Sequence, residues 1–243
     1  MTVLILLRRE LLAWLATPAA WIFVVIFLLL TGIQTFWIAG LLPRGRADLL
    51  PFFAAHPWLH LLLGAALSMR LWADEIRSGT AELLLTLPVR LREAVLAKFL
   101  GAWLLTGLAL LLTTPIWGIV SWLGDPDHGV VLAGYLASWL VAGVFLAMGG
   151  CASALAGSPV TAFVLTLAIG ALHLVAGTPE VLSVLAANAP EALVRGLAAL
   201  AILPHQETMT RGLLGLRDLA YFGVLTSAWL LLTALVLDLR RVG

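Results

Sequence analysis

The sequence has little charge. Only 11% of its 243 residues are charged, 62% are hydrophobic, and the mean hydropathy is +1.07. A soluble domain carries about 25% charged residues, so this composition excludes an ordinary soluble protein. The net charge of +1 gives no electrostatic support for binding nucleic acid. The composition therefore predicts a protein that crosses a lipid bilayer several times.

Lysine and cysteine each occur once. Lys98 stands between Ala97 and Phe99, with no glycine-rich run before it and no serine or threonine after it. A phosphate-binding loop needs both features, so the chain lacks one, and any ATP must be hydrolysed by another polypeptide. Cys151 cannot form an intrachain disulfide, and we expect it to pack as a small apolar residue.

Motifs of membrane enzymes are also missing from the sequence. The chain has no Gly-x-Ser-Gly serine of a rhomboid-like protease, no His-Glu-x-x-His metal motif and no Asp-rich motif of a lipid phosphotransferase. The middles of its apolar runs carry no charge, which argues against a secondary transporter driven by protons or sodium. We therefore expect a non-catalytic chain that binds no metal or cofactor itself.

Long apolar runs predict six membrane-spanning helices, because one span needs about 20 residues. The expected spans are residues 17–42, 49–70, 99–123, 130–156, 160–177 and 219–238. Residues 1–16 contain Arg8, Arg9 and Glu10, which suit a helix lying at the membrane interface. The predicted fold is an all-α integral membrane protein formed by a single domain over residues 1–243.

The fourth and fifth spans come from one charge-free run that Ala156-Gly157-Ser158-Pro159 interrupts. Small residues recur along the fourth span and would let another helix approach closely. They are Gly134, Ser138, Ala142, Gly150 and Ala154. This small-residue stripe predicts tight packing, either within the subunit or against a second subunit.

Five histidines are scattered along the chain. His56 and His60 lie one helical turn apart near the expected outer end of the second span, without further metal ligands nearby. We interpret them as interfacial side chains rather than metal ligands. His128 follows Asp125 and Asp127 in a polar turn with too few oxygen ligands for a cation, and His173 has no evident partner.

Residues 74–93 form a charged block between the second and third spans. Gly79-Thr80 supplies a turn and a capping hydroxyl, and Glu82 suits the first turn of a helix. Pro88 would end that helix, because the residue before a proline avoids the helical region. The pattern predicts a helix of about two turns on the membrane surface, whose leucines face a partner. A solvated loop with leucines dipping into the membrane is the alternative.

The string Glu75-x-x-x-Gly79-Thr80-x-Glu82-x-Leu84, followed by Pro88, resembles the first cytoplasmic loop of ABC-2-type transporter permeases. The resemblance implies that this loop is the coupling helix, which docks into the ATPase subunit. In this sequence the implied coupling residues are Glu75, Arg77, Gly79, Thr80, Glu82, Leu83, Leu84, Leu87 and Pro88.

The same resemblance implies the partners and the location of the chain. Two copies of an ABC ATPase would bind ATP and Mg²⁺, while this chain would pair with a second copy of itself or with a related permease. The complex would export an unidentified substrate across the bacterial inner membrane.

Residues 179–218 differ from the spans, because prolines and charges interrupt short apolar runs. They predict short helices at the outer surface, or helices that enter and leave on the same side. The part before the last span resembles the gliding-motility (GldF-like) and NosY-like branch of ABC-2 permeases. The matching motif contains His205, Glu207, Arg211, Gly212, Arg217 and Asp218, and Tyr221-Phe222 follows it.

The branch resemblance implies an alternative function. A NosY-like chain would pass the motion of the ATPase to an extracytoplasmic or auxiliary membrane partner, with little cargo crossing. A structural scaffold without an ATPase is a third alternative.

The distribution of lysine and arginine predicts the orientation. Six spans place both termini and residues 74–93 on one side, where nine basic residues lie, against five on the other side. The positive-inside rule therefore places the termini and the charged block in the cytoplasm.

Overall fold

The computed structural model describes residues 2–45, 47–79, 90–176 and 178–242, and within these ranges the regular structure is helical. The helices are α1 (Thr2–Ala16), α2 (Pro18–Ile33), α3 (Leu41–Arg44), α4 (Leu50–Ser68), α5 (Ala73–Ser78), α6 (Leu91–Leu111), α7 (Thr114–Leu123), α8 (His128–Ala156), α9 (Pro159–Val175), α10 (Pro179–Asn188), α11 (Glu191–Ala199), α12 (Ile202–Thr210) and α13 (Leu216–Val242). A wider π-helical turn at Gln34–Ile38 follows α2.

Several of these helices are long and apolar enough to cross a membrane. Within the described residues five qualify alone: Pro18–Arg44, Leu50–Ser78, Leu91–Leu123, His128–Ala156 and Leu216–Arg240. A sixth span results if α9 and the following helix, bent by 78°, count as one crossing. The predicted class, an all-helical integral membrane protein, is confirmed.

Helix α8 lies at the centre of the bundle, where it packs against α4, α6, α9, α12 and α13. Its small-residue stripe is buried inside this subunit. A Cβ added to Gly134 would collide with the ring of Phe53 on α4, so glycine is needed there for the close approach of the two helices. The structure thus selects packing within the subunit over a face for a second copy.

Two tryptophans link α6 to α8 by ring stacking and hydrogen bonds. The rings of Trp103 and Trp139 stack with centroids 4.2 Å apart. Each indole donates a hydrogen bond to the other residue's carbonyl, at 2.8 Å from Trp103 and 3.1 Å from Trp139. Gly107 and Gly143 leave room for these rings. The pair satisfies both buried N–H groups, as indoles inside a membrane require.

The third crossing differs from its expected extent. Helix α6 begins at Leu91, before the expected start at Phe99, and the N–H of Arg90 donates to Glu93 Oε2 at 3.3 Å. The crossing breaks between Leu111 and Thr114, because Pro115 has no N–H and its ring cannot follow an uninterrupted helix. The C-terminal part of the predicted charged block is therefore continuous with a span.

The polar turn before α8 is a helix cap. Asp127 Oδ1 accepts hydrogen bonds from the backbone N–H groups of Gly129 at 2.8 Å and Val130 at 3.2 Å. These N–H groups have no partner within the helix, which explains why an aspartate stands there.

Candidate functional site

The turn between α4 and α5 is held by one side chain of the central helix. Ser153 Oγ accepts hydrogen bonds from the backbone N–H groups of Trp72 and Ala73, both at 3.0 Å, and donates one to the carbonyl of Met69 at 3.0 Å. Ser153 is fully buried. Because one hydroxyl satisfies three backbone groups, α8 fixes the direction in which the chain leaves the second span.

Lys98 lies close to this turn and is 92% buried, with a side-chain exposure of 8%. Its Nζ lies 2.7 Å from Glu75 Oε1 and 3.7 Å from Glu10 Oε2, and 5.2 Å from the centre of the Trp72 ring. A buried ammonium needs such partners, because an uncompensated charge away from water is very costly. We call Lys98, Glu10 and Glu75 the Lys98 cluster.

The Lys98 cluster joins three helices that are distant in sequence. Glu10 is on α1, Glu75 on α5 and Lys98 on α6. Helix α1 also packs along α6, where Gly101 faces the side chains of Glu10 and Trp14. The flanks of the charged block are therefore attached both to the N-terminal helix and to the third crossing.

The predicted coupling residues are only partly within the described chain. Glu75 engages Lys98, Arg77 pairs with Asp74 at 3.1 Å on the surface, and Gly79 ends α5 with a φ of 72°. Thr80, Glu82, Leu83, Leu84, Leu87 and Pro88 lie outside the described residues. The coupling helix therefore stays a prediction, as does any contact of Glu75 with an ATPase.

His56 and His60 occupy a different place from the one that their sequence position indicated. Both rings are fully buried, so the interpretation as interfacial side chains is wrong. Their ring centroids lie 5.3 Å apart, and Phe27 of α2 stacks on His60 at 5.1 Å. The sequence position suggested an interface because the packing of α2 and α8 over this part of α4 is not a local property. We call these two residues the histidine pair.

The histidine pair has few hydrogen bonds. His56 Nδ1 lies 2.8 Å from Ser138 Oγ on α8. Within the described residues, His56 Nε2, both ring nitrogens of His60 and Thr31 Oγ1 are buried without a hydrogen-bonding partner. Among the residues that the structure describes, no three side chains of His, Cys, Asp or Glu are grouped so that they could hold a metal ion. The pair is thus a polar interruption of the bundle core.

The motif before the last span forms a second junction. His205 Nδ1 lies 2.6 Å from Asp218 Oδ1, joining α12 to α13. The ring of Tyr221 stacks on His205 with centroids 3.9 Å apart, and its hydroxyl donates to the carbonyl of Leu200 at 2.8 Å. The structure thus brings His205 and Asp218 together, with Tyr221 as a third member.

The other motif residues are more exposed. Glu207 and Arg211 form a surface pair at 3.9 Å, Arg217 is exposed, and Gly212 adopts a φ of 85° in the turn after α12. Gln206, which sequence reasoning missed, is buried and donates to the carbonyl of Phe53 at 2.9 Å. The signal for Gln206 was an amide within an otherwise apolar helix face.

Comparison with known proteins identifies relatives of this chain. The family described as "ABC-2 family transporter protein" matches residues 47–237. Heme exporter protein B of Paracoccus denitrificans is 37% identical over 90 residues, which cover 37% of each chain. Heme exporter protein B of Escherichia coli K12 is 41% identical over 56 residues, covering 23% of this chain and 26% of the relative. The matched stretch thus spans about a third or less of these relatives.

Proposed function

Because the chain belongs to the ABC-2 family of transporter proteins, we propose that it is the membrane-spanning subunit of an ATP-driven exporter in the bacterial inner membrane. It has no catalytic role of its own. ATP and Mg²⁺ bind to a separate ABC ATPase, of which the complex contains two copies. Two permease chains, identical or related, enclose the transport path.

The observation that carries this proposal is the attachment of the charged block. Ser153 fixes the beginning of the block, and the Lys98 cluster ties it to α1 and α6. A segment that transmits force must be fixed at its base, because a freely hinged segment would move without moving the spans. We propose that residues 74–93 face the cytoplasm and dock on the ATPase, and that Glu82 and Leu84 contact it.

Two substitutions test this coupling role. Glu82→Arg reverses a charge, and Leu84→Asp removes an apolar contact. Each is expected to leave the chain inserted and folded but to lower ATPase stimulation in the reconstituted complex about tenfold or more, since changing a hot-spot contact of an interface costs about 2 kcal/mol or more. Glu191→Arg, on exposed α11, serves as the matched control and should leave stimulation unchanged. Unchanged stimulation in both variants would remove the coupling assignment.

The cargo is the least determined part of the proposal. The curated relatives are named heme exporter protein B, so heme is the first compound to test. We expect heme to stimulate ATPase activity of the complete complex if this chain shares that cargo. No stimulation by heme, but stimulation by an amphipathic lipid or peptide, would assign a different cargo and leave the exporter class intact.

A mechanical transducer is the second candidate, and the outer helices favour it. Helix α11 buries none of its residues, and Leu193 on this helix is 52% exposed. Its exposed side chains suit contact with an extracytoplasmic partner, as the NosY-like resemblance implies. A partner that co-purifies with the chain through residues 179–218 and is lost when α11 is replaced would favour transduction over export.

A further inference from the structure

A groove runs between the beginning of α6 and the end of α13. Its outer part has a volume of about 600 Å³ and includes Arg90, Arg92 and Asp238. A second cavity of about 260 Å³ continues it. The two share Arg92, Leu231 and Ala234, so they form one continuous channel along the surface. We call this channel the α6–α13 groove.

The mouth of the groove is basic. Arg90 and Arg92 are exposed, and neither forms an ion pair within the described residues, although Asp238 lines the same mouth. Two cations facing one anion leave a positive excess where the groove opens. Guanidinium groups near a membrane interface suit a phosphate, because they present paired N–H donors to its oxygens.

The remainder of the groove is apolar. Leu96, Leu230 and Leu231 line it, and Ser227 adds a polar side chain beyond the shared Arg92. Ser227 and Asp238 are eleven positions apart on α13, which corresponds to about 16 Å along a helix. This length matches the thickness of one leaflet's hydrocarbon layer, about 15 Å.

We propose that the α6–α13 groove binds one anionic phospholipid from the leaflet that borders residues 74–93. Arg90 and Arg92 hold the lipid phosphate, and an acyl chain lies along Leu96, Leu230 and Leu231. A free phosphate would leave the apolar part unfilled, and a zwitterionic lipid would not match the excess positive charge. Arg90 and Arg92 stand at the end of the block that is proposed to dock, but lipid binding can be measured on this chain without the ATPase or a cargo.

Photocrosslinking in lipid nanodiscs tests the proposal. The full chain is placed in phosphatidylcholine nanodiscs with a photoactivatable phosphatidylglycerol, and labelled peptides are identified by mass spectrometry. We expect labelling of residues 90–96 and 227–238. Arg92→Gln should reduce this labelling about fivefold and the double variant Arg90→Gln/Arg92→Gln further, because each basic residue near an anionic surface contributes about that factor.

Three controls separate the possible outcomes. Arg195→Gln, which changes an exposed arginine on α11, should leave the labelling unchanged, and Arg92→Lys should retain most of it. Excess unlabelled phosphatidylglycerol should compete, whereas phosphatidylcholine and inorganic phosphate should not. Competition by inorganic phosphate would indicate a free-anion site. Equal labelling by a photoactivatable phosphatidylcholine, or unchanged labelling in the double arginine variant, would overturn the proposal.

Discussion

The Lys98 cluster and the histidine pair are both buried polar groups that join distant segments, yet their hydrogen bonding is opposite. Lys98 has two carboxylates within 3.7 Å of its Nζ. The histidine pair is buried with three of its four ring nitrogens unpartnered within the described residues. The Lys98 cluster thus links helices through ion pairs, whereas most nitrogens of the histidine pair are buried without such partners among the described residues.

The difference follows from the hydration that each group loses when it is buried. A buried charge without partners is so unfavourable that its partners become structural, and removing one costs about 3–5 kcal/mol. An unpartnered buried polar group instead costs about 1–3 kcal/mol while it is present, so its replacement by an apolar side chain of similar shape can stabilise the fold. Substitution of Lys98 and substitution of the unpartnered His60 should therefore change stability in opposite directions.

The largest effect is expected at Lys98. Lys98→Met keeps the length of the side chain but removes the ammonium beside Glu75 Oε1, while Glu10 keeps its pair with the exposed Arg9 at 2.8 Å. Because Glu75 is 26% exposed, water screens part of the penalty, and we expect a loss of about 2–3 kcal/mol in unfolding free energy. Thermal unfolding of the full chain in detergent measures it.

A neutral version of the cluster provides the control for this prediction. The triple variant Lys98→Met/Glu10→Gln/Glu75→Gln removes all three charges and should recover most of the stability lost in Lys98→Met. If the triple variant is no more stable than the single one, the loss comes from the packing of the lysine stem rather than from its charge.

A smaller effect should distinguish the two carboxylates. Glu75 Oε1 is 2.7 Å from the ammonium, within hydrogen-bonding distance, whereas Glu10 Oε2 is 3.7 Å away. Glu75→Gln should therefore destabilise the chain by about 1–2 kcal/mol, and Glu10→Gln by about half as much. Equal losses in the same unfolding assay would mean that the ammonium is shared evenly between the two helices.

The sequence predicted the all-helical membrane class, because charge-free runs of about 20 residues are a property of the local chain. It also pointed to residues 205–218 as a unit, and the structure pairs His205 with Asp218. The helical class depends on composition, whereas the segment 205–218 was marked by its resemblance to a family motif. The docking of residues 80–89 stays a prediction.

Long-range partners could not be predicted in this way. Ser138 and Ser153 both appear in the sequence as small residues of an apolar span, yet one hydrogen-bonds His56 and the other holds the beginning of α5. Lys98 stands in the sequence just before the expected start of the third span. Its burial follows from the earlier start of α6 and from the packing of α1, and neither is visible in local periodicity.

The smallest effect, and the one with the opposite sign, is expected at the histidine pair. His60→Phe replaces a ring with two unpartnered nitrogens by an apolar ring that still stacks on Phe27. We expect unfolding free energy to stay the same or rise by up to about 1 kcal/mol. His56→Phe should instead lower it by about 1 kcal/mol, because Ser138 loses its partner. A loss in His60→Phe as large as that in Lys98→Met would show that His60 has a structural partner after all, such as a bound water, and the contrast between the two clusters would fail.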